Sequence, residues 1–559
     1  MTRRPSASFP SRRSGKGGAA AVAVGLLAAV TGCSSVGPQA AQSSSSGGAS
    51  GAASDSYGTS ATSSQVKSGG TLTFALSSDL DMLDPTLSRS LYSRYVFDSM
   101  CQKLYDVNAK TNVVPQLATA MPKISDGGKT VTITIRSGVK FSDGTAFNAS
   151  AVKATIERNL NLVGTARKTE LGPISSVDAP NATTVVVHLK QPFAPLTAAL
   201  ADRAGMIMSP AAIQKYGKNF AQHPSCVGPF KLQQRVPGSS ITLVRDPNFY
   251  DSSKVHFDKI VYRIITDPNV RSANLLSGDA EVADTLSTDS VVSLQSNPKI
   301  TVLRSQSLGY QGVTFNIGNA NGVGNPPKAL TTPAASKAAV REALEYSINR
   351  PLLIKSVFNN LYSPACSPIP TKSPFSQPVD QQCAPYDPAK SKKLLAQAGV
   401  KTPFRLDMLV SNTPDTLRMV QALQSMVKAG GFDLNIQPVE YTTLLNLEDQ
   451  GKFTALQLGW SGRVDPDANL TNFVGTQGSQ NVSGYSNPKV DTLLNRAQTT
   501  NDLSTRKSLY GQVVQITRSD APIVYLYRQS NLTGIASTIK GVQTFPDGVV
   551  RVAFAGFSK

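Results

Sequence analysis

Two rhythms of apolar and polar residues alternate along the chain from residue 70 onward. A period of two predicts half-buried strands at 71–76, at 131–135 (Val131, Ile133 and Ile135 interleaved with threonines), and at 183–189, 241–244 and 260–265. A period near 3.6 places Tyr92, Val96, Met100 and Leu104 on one face and predicts a helix over 91–104. A further helix is predicted over 336–358, interrupted at Pro351. Asp387-Pro388 caps and opens a helix that Gly399 stops, and Thr413-Pro414 opens another that Gly430-Gly431 ends. Strands follow at 434–439 and 454–458. Strands alternating with helices, without an internal repeat, predict an α/β architecture.

The first 68 residues do not share these rhythms. Arg3, Arg4, Arg12, Arg13 and Lys16 precede an apolar run over 19–30 that closes on Val30-Thr31-Gly32-Cys33. Basic, then apolar, then small is the layout of a secretory signal, and the run is too short to span a bilayer. The closing four residues resemble a lipobox, so residues 1–32 are expected to be removed and Cys33 to carry lipid. Residues 34–68 are Ser, Gly, Ala, Gln and Thr almost throughout, a composition that predicts a flexible tether. A lipid on Cys33 would hold the protein at the outer face of the cytoplasmic membrane.

About 490 residues remain, too many for one core, so two or three lobes are expected. The formal charge of +19 loses five positive residues with the leader, and the rest are spread without a basic-aromatic cluster, which argues against nucleic acid. Beyond Cys33 there are four cysteines, an even number that outside the cytoplasm implies two disulfides. Cys366 and Cys383 bracket a Pro-rich loop and form the local pair, which leaves Cys101 with Cys226. The three histidines, His188, His223 and His256, are scattered, and no spacing offers a zinc site. G-x-S-x-G, Walker A and G-x-G-x-x-G strings are absent, which disfavours a secreted hydrolase or a nucleotide enzyme. The expectation is a non-enzyme without cofactor.

A series of strings carries a closer resemblance. Val113-Val114-Pro115-Gln116-Leu117-Ala118, Asp126-Gly127-Gly128-Lys129-Thr130 and Ile135-Arg136-Ser137-Gly138-Val139-Lys140-Phe141-Ser142-Asp143-Gly144-Thr145 come first. Gly228-Pro229-Phe230, Arg245-Asp246-Pro247-Asn248-Phe249-Tyr250, Phe315-Asn316, Val340-Arg341-Glu342-Ala343-Leu344, Gly459-Trp460 and Gly484-Tyr485-Ser486 follow in order. Together they resemble the family 5 solute-binding proteins, the dipeptide, oligopeptide and nickel receptors of ABC importers. The resemblance implies a two-lobe, periplasmic-binding-protein-like (type II) fold that closes on its ligand about a hinge. It implies lobe I from 69–106, 204–308 and 522–559, an extra subdomain over 107–203, and lobe II over 309–521. It further implies a monomer that captures a small peptide or peptide-like solute and delivers it to the permease subunits of an importer. An opine, an oligosaccharide, haem or a metal chelate are the alternatives for the same scaffold, nickel being disfavoured by the scarcity of histidine.

Ligand contacts are expected from loops at the facing lobe edges: Ser78 and Asp79, Tyr310 and Gln311, and Ser411 and Asn412 at a helix start. Trp460, the single tryptophan, is expected to wall the cleft. Where the dipeptide and oligopeptide receptors carry an aspartate for the ligand amine, this chain has Arg463, with Asp465 two places on. A guanidinium repels an ammonium and favours a carboxylate. Either Asp465 takes the amine or Arg463 takes an acid.

Overall fold

In the computed structural model, which describes residues 55–559, the alternating segment Thr71–Leu76 becomes the centre of a seven-stranded sheet. Its neighbours are the parallel strands Lys259–Ile264 and Val282–Ala283. The sheet runs in the order Ile300–Gln306, Ser530–Ala536, Val282–Ala283, Thr71–Leu76, Lys259–Ile264, Ser240–Arg245, Phe230–Val236. Leu72, Phe74 and Leu76 on one face and Ala75 on the other are fully buried, as befits a parallel central strand covered on both sides. This sheet heads lobe I. Lobe II is built on a six-stranded sheet in the order Ser363–Pro364, Ile523–Arg528, Tyr310–Phe315, Ala455–Trp460, Phe404–Ser411, Phe432–Val439. A separate four-stranded antiparallel sheet, Lys123–Ser125, Thr130–Thr134, Thr184–Leu189 and Ile174–Asn181, packs with the helix Ala149–Asn161 on its own core.

Two antiparallel strands pass from one large sheet into the other. Ile300–Gln306 of lobe I continues through Ser307, Leu308 and Gly309 into Tyr310–Phe315 of lobe II. The return runs from Ile523–Arg528 through Gln529 into Ser530–Ala536. The return crossing therefore lies at Gln529, and the expected boundary at 521/522 is corrected: Ile523–Arg528 pairs with Tyr310–Phe315 and belongs to lobe II. Buried Arg528 pins the crossings by donating to the carbonyls of Gly309 (2.6 Å), Ser367 (2.5 Å) and Ile369 (2.7 Å). Gly309 has no room for a side chain, because a Cβ there would lie 1.7 Å from the Trp460 carbonyl oxygen.

Three other expectations are revised. The helix predicted over 91–104 is Leu91–Met100, since Cys101 turns extended while its N–H still reaches the Phe97 carbonyl. The helix expected over 336–358 breaks before Pro351, at 347–349. Asn349 caps the second piece, Arg350–Phe358, and Pro351 sits in its first turn, where a missing N–H costs nothing. The tether expected over 34–68 ends earlier. Ser56 pairs with Arg304 by two main-chain bonds of 2.7 and 3.0 Å, and Val66–Lys67 pairs with Phe557 and Ser558. Main-chain bonding to sheet edges, with the single buried apolar side chain Val66, docks this segment, so its composition is a poor guide. The leader, Cys33 and residues 34–54 lie outside the described residues. Cys101–Cys226 and Cys366–Cys383 are bonded. Among the described residues, no helix is long and apolar enough to cross a membrane.

Candidate functional site

The two crossings form the floor of a cavity of about 230 Å³ bounded by both lobes. Lobe I contributes Ser77, Tyr92, Arg271, Thr285 and Thr288, and the crossings contribute Tyr310, Gln311 and Gln529. From lobe II come Gln457, Trp460 and Phe473, the helix-start residues Thr413, Asp415 and Thr416, and a polar group around Glu448. The extra subdomain over 107–203 contributes no lining residue.

Aromatic rings make the apolar wall. Tyr310 meets Tyr525 edge-on at 4.7 Å, and Trp460 meets Phe473 edge-on at 5.0 Å. Asn469 sets the indole, accepting from Trp460 Nε1 at 2.8 Å, and also accepts from the Arg463 N–H at 2.8 Å. Across the opening, Tyr92 of lobe I and Tyr441 of lobe II meet edge-on at 5.6 Å. A line of amides runs along the floor: Gln457 donates to Gln311 (3.1 Å), and Gln311 donates to Gln529 (3.3 Å). Each side-chain amide has more donors and acceptors than these bonds use, so the line can pair with amides of a bound molecule.

Of the expected contact residues, Tyr310, Gln311 and Trp460 line the cavity and the other six do not. Ser78 and Asp79 are displaced by their neighbour Ser77, whose hydroxyl and N–H both bond Asp284 at 2.7 Å. Asp79 instead accepts from the Gly238 N–H at 2.8 Å and pairs with Arg235 at 3.4 Å, tying down a hairpin turn. Ser411 is buried and Asn412 exposed, and it is the following turn that reaches the cavity. Asp465 is held by Arg506 through two bonds of 2.9 and 2.7 Å. Its charge is answered inside lobe II.

Arg463 is also turned away. Gly462, with φ +81°, bends the loop after Trp460, and Arg463 crosses to the end of the extra subdomain, where it pairs with Asp202. Its guanidinium also lies 4.2 Å over the Trp460 ring. Asp202 is shared with Arg94 at 3.1 Å, and Arg94 reaches Asp547, which Arg551 pairs at 2.9 Å. Burial alone would raise the Asp202 carboxyl, yet Arg463, Arg94 and Arg203 hold it well below the usual carboxylate range. Burial brings the Arg463 guanidinium down to about 10, with Asp202 opposing. This chain of charges joins the lobes beside the cavity.

Sequence reasoning missed Glu448, in the helix Tyr441–Asp449. It lines the cavity and is 7% exposed. Burial pushes its carboxyl up from 4.5 to about 8, with Asp449 adding to the rise and Arg89 opposing. The folded protein thus binds a proton more tightly than the unfolded chain, so this group costs stability as pH rises from about 4.5 to about 8. Replacing Glu448 by Gln is expected to remove that loss, an upper bound of about 5 kcal/mol. Urea midpoints of both proteins at pH 5 and pH 8 check it: the variant should gain on the parent only at pH 8.

Comparison with known proteins places this architecture. The family model described as bacterial extracellular solute-binding proteins, family 5 middle, matches residues 112–481. The glutathione-binding protein GsiB of Shigella dysenteriae is 29% identical over 485 residues, covering 85% of this chain and 92% of the relative. The dipeptide-binding protein of Pseudoalteromonas sp. SM9913, solved with Met-Leu, superposes with a TM-score of 0.80 at 21% identity, over 88% of this chain and 100% of that one. DppA of Helicobacter pylori, solved with the peptide STSA, superposes at 0.79 with 24% identity, over 88% and 99%. On the model that matches most of its length, and on the two-lobe fold with its double crossing, the chain belongs to the bacterial extracellular solute-binding proteins of family 5.

Proposed function

We propose that this protein binds a short peptide or peptide-like solute between its lobes and delivers it to the permease subunits of an ABC importer. The observation that carries the reading is the cavity itself, lined by both lobes beside the two crossings that join them. The amide line offers both donors and acceptors to the main-chain N–H and C=O groups of a peptide. At about 230 Å³ the cavity is small beside the roughly 300–1,000 Å³ of drug-sized sites, which favours a dipeptide or tripeptide over a long peptide. The name of the Shigella relative makes glutathione a rational first ligand. We further propose a monomer held at the outer membrane face through Cys33. Cys33→Ser should move it from the membrane to the soluble fraction, and unchanged retention would refute the anchor.

Calorimetric titration of the leaderless protein with glutathione and a set of dipeptides and tripeptides tests the reading. One-to-one binding at micromolar Kd or tighter, about −8 kcal/mol, is expected for at least one of them. Binding of sugars alone, or of none of these, would contradict it.

A further inference from the structure

Most charges around the cavity are answered by the protein. Arg271 donates to the carbonyls of Ile265, Thr266, Asp284 and Thr285, Arg418 pairs with Asp289 and Asp415, and Asp284 is bonded by Ser77. One corner differs. The Glu448 carboxylate accepts no hydrogen bond and joins no ion pair among the described residues, because Arg89, which also lines the cavity, pairs with Asp449 instead. The Ser483 hydroxyl, on a residue 1% exposed, and Gln480 Nε2 line the same cavity and are likewise buried without a partner. The main chain brings these groups together. Gly318 N–H donates to the Ser483 carbonyl at 2.9 Å, and the adjacent Asn319 side chain donates to the Glu448 carbonyl at 3.0 Å.

Buried polar groups are nearly always paired, and leaving one unpaired costs free energy. Two such atoms, in the same cavity as a carboxyl that is given no hydrogen bond, therefore describe what is to fill it. Glu448 calls for a positive donor, while Gln480 Nε2 calls for an acceptor beside it and the Ser483 hydroxyl serves either role. We propose that the corner formed by Glu448, Gln480 and Ser483 seats a cationic nitrogen of the solute with an oxygen acceptor next to it, Glu448 facing the ammonium. The proposal rests on the binding function above and adds a charge selection at a corner remote from the Arg463 loop. It also explains why an acid is kept in a buried position where it weakens the empty protein.

The test uses an equimolar mixture of dipeptides and tripeptides without arginine in three forms: untreated, acetylated on its amines, and dimethylated on its amines, which keeps the charge while adding bulk. Each is equilibrated with the leaderless protein, dialysed, and the retained molecules are released and quantified by mass spectrometry. The native protein is expected to retain the untreated and dimethylated pools at least tenfold more than the acetylated one. Glu448→Gln should bring that ratio close to one. Ser483→Ala should lower retention of the charged pools several-fold and keep the preference. Equal retention of all three pools by the native protein would overturn the proposal and leave the binding function standing. So would loss of both modified pools, since bulk would then decide, or a preference that survives in Glu448→Gln. Retention of no pool would overturn the binding function, and this proposal with it.

Discussion

Asp202→Ala is expected to cost about 3–5 kcal/mol of stability and at least a hundredfold in ligand affinity. Asp202 is buried and is the shared counter-charge of Arg94 and Arg463, so its removal strands the buried Arg463 guanidinium, while Arg94 keeps Asp547. The two losses have different sources. Arg94 lies in lobe I and Asp202 at the end of the extra subdomain packed on it, and losing that contact weakens the protein whether the lobes are open or closed. Arg463 comes from lobe II, and its pair exists only while the lobes meet, so losing it penalises the closed form alone. Removing both partners of that pair leaves less charge stranded. Urea denaturation should therefore find Asp202→Ala combined with Arg463→Met markedly less damaging than the sum of the two. Strict additivity would show that the pair does not couple the lobes.

Breaking Cys101–Cys226 is expected to be the other large loss. The bond closes a loop of sequence separation 125, for which chain entropy alone gives about 5 kcal/mol, against about 3 kcal/mol for the separation of 17 closed by Cys366–Cys383. The longer loop contains the whole four-stranded subdomain, so the bond staples the end of the helix Leu91–Met100 to the segment where the chain returns to lobe I. Cys101→Ser with Cys226→Ser should lower the urea midpoint more than Cys366→Ser with Cys383→Ser. The reverse order would mean that the reduced chain keeps the subdomain docked and that loop closure is not what the bond supplies.

How far the residues foretold this structure depends on how local each signal is. Alternation at Thr71–Leu76, the caps at Asp387 and Thr413, and the pairing of Cys366 with Cys383 are short-range, and the chain expresses them with small shifts at the ends. Tyr310, Gln311 and Trp460 were recognisable as cleft residues because they sit at strand ends beside recognisable strings. Arg463 was not readable, since its direction is set by Gly462 and by Asp202 in a distant part of the chain. Asp465 was likewise claimed by Arg506 from a later helix. Glu448 carries no local signal that sets it apart from other charges. Its burial comes from lobe I approaching across the cavity, which no window of the sequence contains.

The central claim is that a peptide-like solute is taken between the lobes against Trp460. Because this is the only tryptophan in the chain and it lines the cavity, its intrinsic fluorescence reports that event alone. In the titration with glutathione and short peptides, a ligand that binds should change Trp460 emission saturably, with a midpoint equal to the calorimetric Kd. Calorimetric binding that leaves Trp460 emission unchanged would place the solute elsewhere and contradict the account.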